Sequence, residues 1–127
     1  MAVSSAYLAY AIDQLSQCID VRTRRMFGGV GIYHEDAFFA LIDDDQLFFK
    51  VNDSTRAEFV SRGAQPFRPV GANSKIVTLS YYTLPPEILE DVDELKSWTL
   101  KAIAVARNAK SKKKMPTARS RAKSKKQ

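Results

Sequence analysis

The stretch from Phe38 to Phe49 constrains this chain more than any other. It holds two apolar runs, Phe38-Phe39-Ala40-Leu41-Ile42 and Leu47-Phe48-Phe49, separated by Asp43-Asp44-Asp45. Both runs suit strands, and acidic residues that bond their own backbone suit the turn between them. The pattern predicts a hairpin of residues 37–42 and 46–51. Side chains alternate across a sheet, so regular alternation sets Phe39 and Leu41 on one face and Phe38, Ala40 and Ile42 on the other. Phe48 and Phe49 repeat the conflict next door. A sheet with one wet face is apolar on one side only. The second face therefore calls for a cover: a symmetric partner, another protein, or the chain's own last helix and the loop at residues 65–74. Partner contact is favoured, because large exposed apolar patches mark interaction sites.

The rest of the chain supplies helices and further strands. Ser4 or Ser5 can cap a first helix, in which Leu8, Ala11, Ile12, Leu15 and Ile19 form one apolar stripe. Residues 21–27 read as a strand, residues 30–33 as a second, and His34-Glu35-Asp36 as a turn. Asn52 or Asp53 can cap a short helix through Arg62, with Ala57 and Val60 facing inward, Phe59 beside them and Gly63 as its stop. Residues 65–74 read as a loop and residues 76–82 as a strand ended by Leu84-Pro85-Pro86. Asp91 with Glu94 opens a final helix whose stripe is Leu95, Trp98, Thr99, Ala102, Ile103 and Ala106. The expected fold is a two-layer α+β domain: an antiparallel sheet of about five strands with an N-terminal helix, a short middle helix and a C-terminal helix.

Charge divides the chain. Residues 1–106 hold ten Lys and Arg against all fourteen Asp and Glu, a net −4, while residues 107–127 hold the other ten cations and no acid. The basic character belongs to the end of the chain and does not mark the domain as a nucleic-acid binder. After Ala109 no aromatic residue follows, and such a segment cannot bury enough surface to offset its ordering entropy. Residues 1–108 are expected as the domain and 109–127 as a disordered polybasic tail. Lys110, Lys112, Lys113, Lys114, Arg119, Arg121, Lys123, Lys125 and Lys126 would give it non-specific affinity for DNA or RNA. No apolar run approaches the roughly 18–20 residues of a membrane span. A lone Cys18 and no signal-peptide pattern lead to an expected cytoplasmic location.

Arg24-Arg25-Met26-Phe27-Gly28-Gly29-Val30-Gly31-Ile32-Tyr33 is the most distinctive motif. Its glycines beside two arginines could cradle a phosphate. A P-loop, however, needs Gly-Lys-Ser/Thr opening a helix, and a dinucleotide fold needs spaced glycines before one. The favoured reading is a bulge or tight turn between strands, with the arginines paired to acids such as Asp20 or Glu35. The three aspartates lack the spacing of a calcium loop, and His34 has no Cys partner for a metal. No nucleophile–base arrangement is evident, so no cofactor, metal or enzymatic activity is expected.

Arg25-Met26-Phe27-Gly28-Gly29, followed by Phe38-Phe39-Ala40-Leu41, Leu47-Phe48-Phe49-Lys50-Val51, Ser80-Tyr81-Tyr82, Leu84-Pro85, Leu95 and Trp98, resembles the TfoX N-terminal domain family. These are regulators of DNA-uptake competence, also called Sxy, and the likeness covers roughly residues 6–108. The resemblance implies a secretion-chaperone-like α+β fold and a regulatory protein-interaction module in competence or transcription control. It also implies partnership with the transcription machinery or the cyclic-AMP receptor protein. Full-length competence regulators carry a second, helical domain, in whose place this chain has its basic segment. The motif residues offered as partner surface are Arg24, Arg25, Met26, Phe27, Gly28, Gly29, Tyr33, Phe38, Phe48, Lys50, Tyr81 and Tyr82, with a homodimer as one use of them. Two other readings stay open: a small nucleic-acid-associated protein acting through its tail, and a chaperone-like adaptor.

Overall fold

A computed structural model describes residues 3–26, 29–68 and 78–114. Within them the chain builds one antiparallel sheet and sets its helices against one face. The strands are β1 (Arg22–Met26), β2 (Gly29–His34), β3 (Ala37–Asp43), β4 (Gln46–Lys50), β5 (Pro66–Phe67) and β6 (Thr78–Thr83). The helices are α1 (Ser5–Ser16), α2 (Asp53–Ser61), α3 (Pro86–Glu90) and α4 (Val92–Lys114). The sheet order is β1-β2-β3-β4-β6-β5.

Local chemistry explains most boundaries. Ser4 Oγ accepts from the Tyr7 N–H at 3.1 Å and starts α1. Asn52 Oδ1 accepts from the Thr55 N–H at 2.9 Å while the Asn52 N–H donates to Thr55 Oγ1 at 3.0 Å, a reciprocal cap for α2. Gly63, with φ of 83°, follows the end of that helix. The Asp91 carboxylate accepts from the Glu94 N–H at 3.3 Å and opens α4. Asp44 and Asp45 both have positive φ, near 55°, between the paired residues Asp43 and Gln46. That is the tight hairpin twist matching a right-handed sheet, and Asp tolerates it better than most residues.

The core lies between sheet and helices. Two rows of paired residues cross the sheet on its helix-covered face: Val30, Ile42 and Leu47, then Ile32, Ala40, Phe49 and Tyr82. Leu95, Trp98, Thr99, Ala102, Ile103 and Ala106 of α4 are all buried. Ala11 and Leu15 of α1 and Ile88 and Leu89 of α3 join them.

Several expectations are corrected. The sheet has six strands, because Pro66 and Phe67 pair with β6 as its outer edge. Proline is tolerated there, where a missing N–H deprives no neighbouring strand. The Pro85-Pro86 pair starts helix α3 as well as ending β6, since proline suits the first turn of a helix. Phe59 is the inward residue of α2, while Ala57 and Val60 are exposed. The helix α4 continues through Lys114, six residues past residue 108. Ala and Lys are strong helix formers, and cations suit the negative end of a helix dipole. Phe27, Gly28, the expected strand residues 76 and 77, much of the loop after Arg68, and Arg119, Arg121, Lys123, Lys125 and Lys126 lie outside the described residues.

The face assignment in β3 is also corrected. Ile32 pairs with Ala40 but Tyr33 pairs with Phe38, which leaves Phe39 as an extra residue in the ladder. A bulge of this kind turns two successive side chains toward one side. Phe39 and Ala40 therefore both enter the core with Ile42, while Phe38 and Leu41 face the other way.

Candidate functional site: the helix-free face of the sheet

The side of the sheet away from the helices carries its own organised surface. Pairing puts Arg24, Gly31, Leu41, Phe48 and Thr83 in one row across five strands. Beside it run Arg22, Tyr33 and Phe38, with Lys50 paired to Tyr81 further across. The Tyr33 and Phe38 rings stack at 5.0 Å with an interplanar angle of 23°, and Phe38 lies 5.7 Å from Tyr81. Arg22 sits over Tyr33 at 5.7 Å and Lys50 over Tyr81 at 4.9 Å. The result is an aromatic row flanked at each end by a cation held against a ring face.

A glycine lies beside that row. A Cβ on Gly31 would lie 2.7 Å from Met26 Cε and 3.1 Å from Phe38 Cε1. The bare backbone lets those two side chains close over β2, and an added methyl would have to push the Met26 end aside and crowd Phe38. A Cβ on Gly29 would collide with the Ile42 carbonyl oxygen, so this glycine serves close strand approach. Met26 pairs with Gly29, so β1 and β2 join through two residues. The phosphate-cradle alternative receives no support from these glycines, whose roles are both steric.

Burial pushes the Tyr81 hydroxyl up to about 12, with the neighbouring Tyr33 adding to the effect. The phenol is neutral throughout the physiological range, which suits a half-buried apolar row. Phe48, 5% exposed, packs edge-on against Phe67 at 5.0 Å. Part of this face is thus covered from within the chain, by β5. The final helix lies on the opposite side. Leu79, two positions before Tyr81 on the same strand, is 54% exposed.

The structure brings together Arg24, Met26, Tyr33, Phe38, Phe48, Lys50 and Tyr81 on this face. It sends Tyr82 into the core and Arg25 to the side of Val30, where it remains exposed. Gly29 sits at the start of β2. The expected pairing of the arginines with acids is corrected: among the described residues neither Arg24 nor Arg25 has an ion-pair partner. Glu35 is engaged instead by Arg107 at 2.7 Å, and its backbone carbonyl by Arg22 at 2.7 Å. Arg22 and Phe67 belong to this surface without standing out in the sequence. Period-two alternation from Arg24 would have found Arg22, whereas nothing local pairs Phe67 with Phe48.

A separate cleft of about 440 Å³ opens between α1, α3, the β3–β4 hairpin and the segment that follows α2, lined by Tyr7, Tyr10, Leu84, Pro85 and Glu87 among others. Arg62 at its mouth bonds Glu94 at 3.1 Å and Glu87 at 3.5 Å. No group of three or more His, Cys, Asp or Glu residues that could hold a metal occurs among the described residues. His34 Nδ1 lies 2.7 Å from the Asp20 carbonyl, a contact that fixes the strand end. No helix among the described residues is long and apolar enough to cross a membrane.

Fold and surface together define a small α+β module with one sheet face that no described helix covers. The chain belongs to the TfoX N-terminal domain family, whose model matches residues 13–106. It is also 37% identical over 59 residues to the DNA transformation protein TfoX1 of Aliivibrio fischeri (strain ATCC 700601 / ES114). That match covers 46% of this chain and 28% of the relative's length.

Proposed function

We propose that this chain is a regulatory protein-interaction module linked to competence for DNA transformation and to transcription control. Its open sheet face is the partner surface, and its basic segment adds non-specific nucleic-acid affinity. The observation that carries the reading is the Arg22–Tyr33–Phe38–Tyr81–Lys50 row on a face that no described helix covers. Aromatic and arginine side chains are what protein interfaces concentrate. The family membership and the relative's role as a DNA transformation protein support the biological setting. The transcription machinery and the cyclic-AMP receptor protein are the partners to try first, with a second copy of this chain as the alternative occupant.

The test is binding of purified cyclic-AMP receptor protein and RNA polymerase to the immobilised full chain. Leu79→Glu adds a charge to the face at an exposed position, and Phe38→Asp adds one within the row. Capture that falls in both variants while their circular dichroism stays native supports the reading. Capture unchanged by either variant sinks it. Sedimentation of the same proteins reads the homodimer alternative.

A second reading, action through the basic segment, draws on the ten cations after residue 106. If about five of them meet phosphates, the log–log salt slope of duplex binding is near −4.5. Lys→Gln at 110, 112, 113 and 114 then flattens that slope by about 3.6.

A further inference from the structure

Strand β1 forms one edge of the sheet, and among the described residues nothing pairs with its outer side. Arg22, Thr23, Arg24 and Arg25 are exposed, and only Met26 is partly covered. An open edge offers a row of backbone donors and acceptors that water or another strand must satisfy. Three of its five side chains are arginine, two of them on one face at a spacing of two residues.

We propose that the outer edge of β1 accepts an acidic, extended peptide segment of a protein partner as a seventh strand. Acidic side chains at alternate positions lie opposite Arg22 and Arg24. This rests on the reading that the chain acts through protein contacts, and it names the chemistry of the contact. A peptide strand returns both hydrogen-bond donors and acceptors to the edge. A phosphodiester backbone supplies acceptors only and leaves the edge carbonyls to water.

A second copy is the poorer occupant. Antiparallel pairing of β1 on itself about Arg24 sets Arg24 against Arg24. Moving the centre one residue either way sets Arg22 against Arg24, or Arg25 against Arg25. Like charges directly opposite destabilise a strand pair, and opposite charges stabilise it. The same arginines that discourage self-association select for an acidic guest. Of the nearby acids, Glu35 already binds Arg107, which leaves the arginine edge without a described intramolecular counter-charge.

The experiment uses the full chain and fluorescence polarisation of a capped peptide, Glu-Val-Glu-Thr-Glu-Val, at two salt concentrations. Its partners are the same peptide with Lys for Glu, and a version N-methylated at alternate residues to block one bonding edge. The N-methylated peptide keeps its charge, so attraction to the basic segment is unchanged and only strand pairing is lost. The expected result is about tenfold weaker binding on N-methylation and on the double change Arg22→Glu with Arg24→Glu. The Lys peptide gains on that variant. N-methylated and parent peptides binding alike, or the charge-reversed variant binding the Glu peptide as before, overturns the proposal. So does a 15-nucleotide single strand that loses affinity on that variant while the Glu peptide does not. If capture of the regulators above persists through such a result, only the edge is retired and the interaction reading stands.

Discussion

Phe39, the residue without a partner in the β2–β3 ladder, packs its ring edge-on against Phe49 at 5.8 Å between centroids. The bulge turns Phe39 inward, where it is fully buried beside Ala40. Phe39→Ala is expected to destabilise the fold by about 3–5 kcal/mol, read by urea unfolding. Leu79→Ala, on an exposed position of β6, is expected within about 0.5 kcal/mol of the parent. Equal losses would contradict the bulge assignment.

The two glycines of β2 separate by what their missing Cβ would meet. Gly29→Ala drives a methyl into the Ile42 backbone, which has nowhere to go, and is expected to cost about 1–3 kcal/mol. Gly31→Ala meets first the end of the Met26 side chain, which can swing away. Its loss should be smaller. Thermal melts of both proteins decide the order.

Thr99 is fully buried on α4, and among the described residues its Oγ1 has no hydrogen-bond partner. Replacing an unsatisfied hydroxyl with a methyl of similar shape removes a desolvation cost without opening a cavity. Thr99→Val is expected to stabilise by about 1 kcal/mol, a rise of several degrees in melting temperature. A lower melting temperature would mean that the hydroxyl is satisfied in solution.

Tyr81 gives the fold an alkaline limit. Its proton is held more tightly in the folded state, up to about 12, than in the unfolded chain at the ordinary value of 10.0. Below the unfolded value both states keep the proton and the group adds no pH dependence. Above it the unfolded state ionises first, so stability falls as pH rises from 10 toward 12. Absorbance titration at 295 nm should show a late tyrosine that Tyr81→Phe removes. A Tyr81 that ionises with the exposed tyrosines would show that the row is wetter than its packing.

How much of this was legible depended on the range of the interaction. The hairpin turn at Asp44 and Asp45, the Asn52 cap and the Leu95-to-Ala106 stripe are written within a few neighbouring residues, so spacing reveals them. The bulge at Phe39 arises from pairing between β2 and β3, and strict alternation therefore grouped Phe39 with Leu41 and Phe38 with Ala40 and Ile42. Tyr81 and Tyr82 look alike in sequence, yet one joins the open row and the other the core.

By itself the sequence determined the kind of domain, the position of most elements and the family, because these rest on local periodicity, turn chemistry and the Arg25-Met26-Phe27-Gly28-Gly29 block. It also revealed that both faces of the sheet are apolar. Only the tertiary structure decided how each face is treated. The helices cover one side, while on the other Phe67 packs against Phe48 and three rings stand between Arg22 and Lys50. It also left Arg22, Arg24 and Arg25 along an edge that no described strand pairs with. Strand order and register are long-range choices, made by which faces can be buried together, and no single segment encodes them.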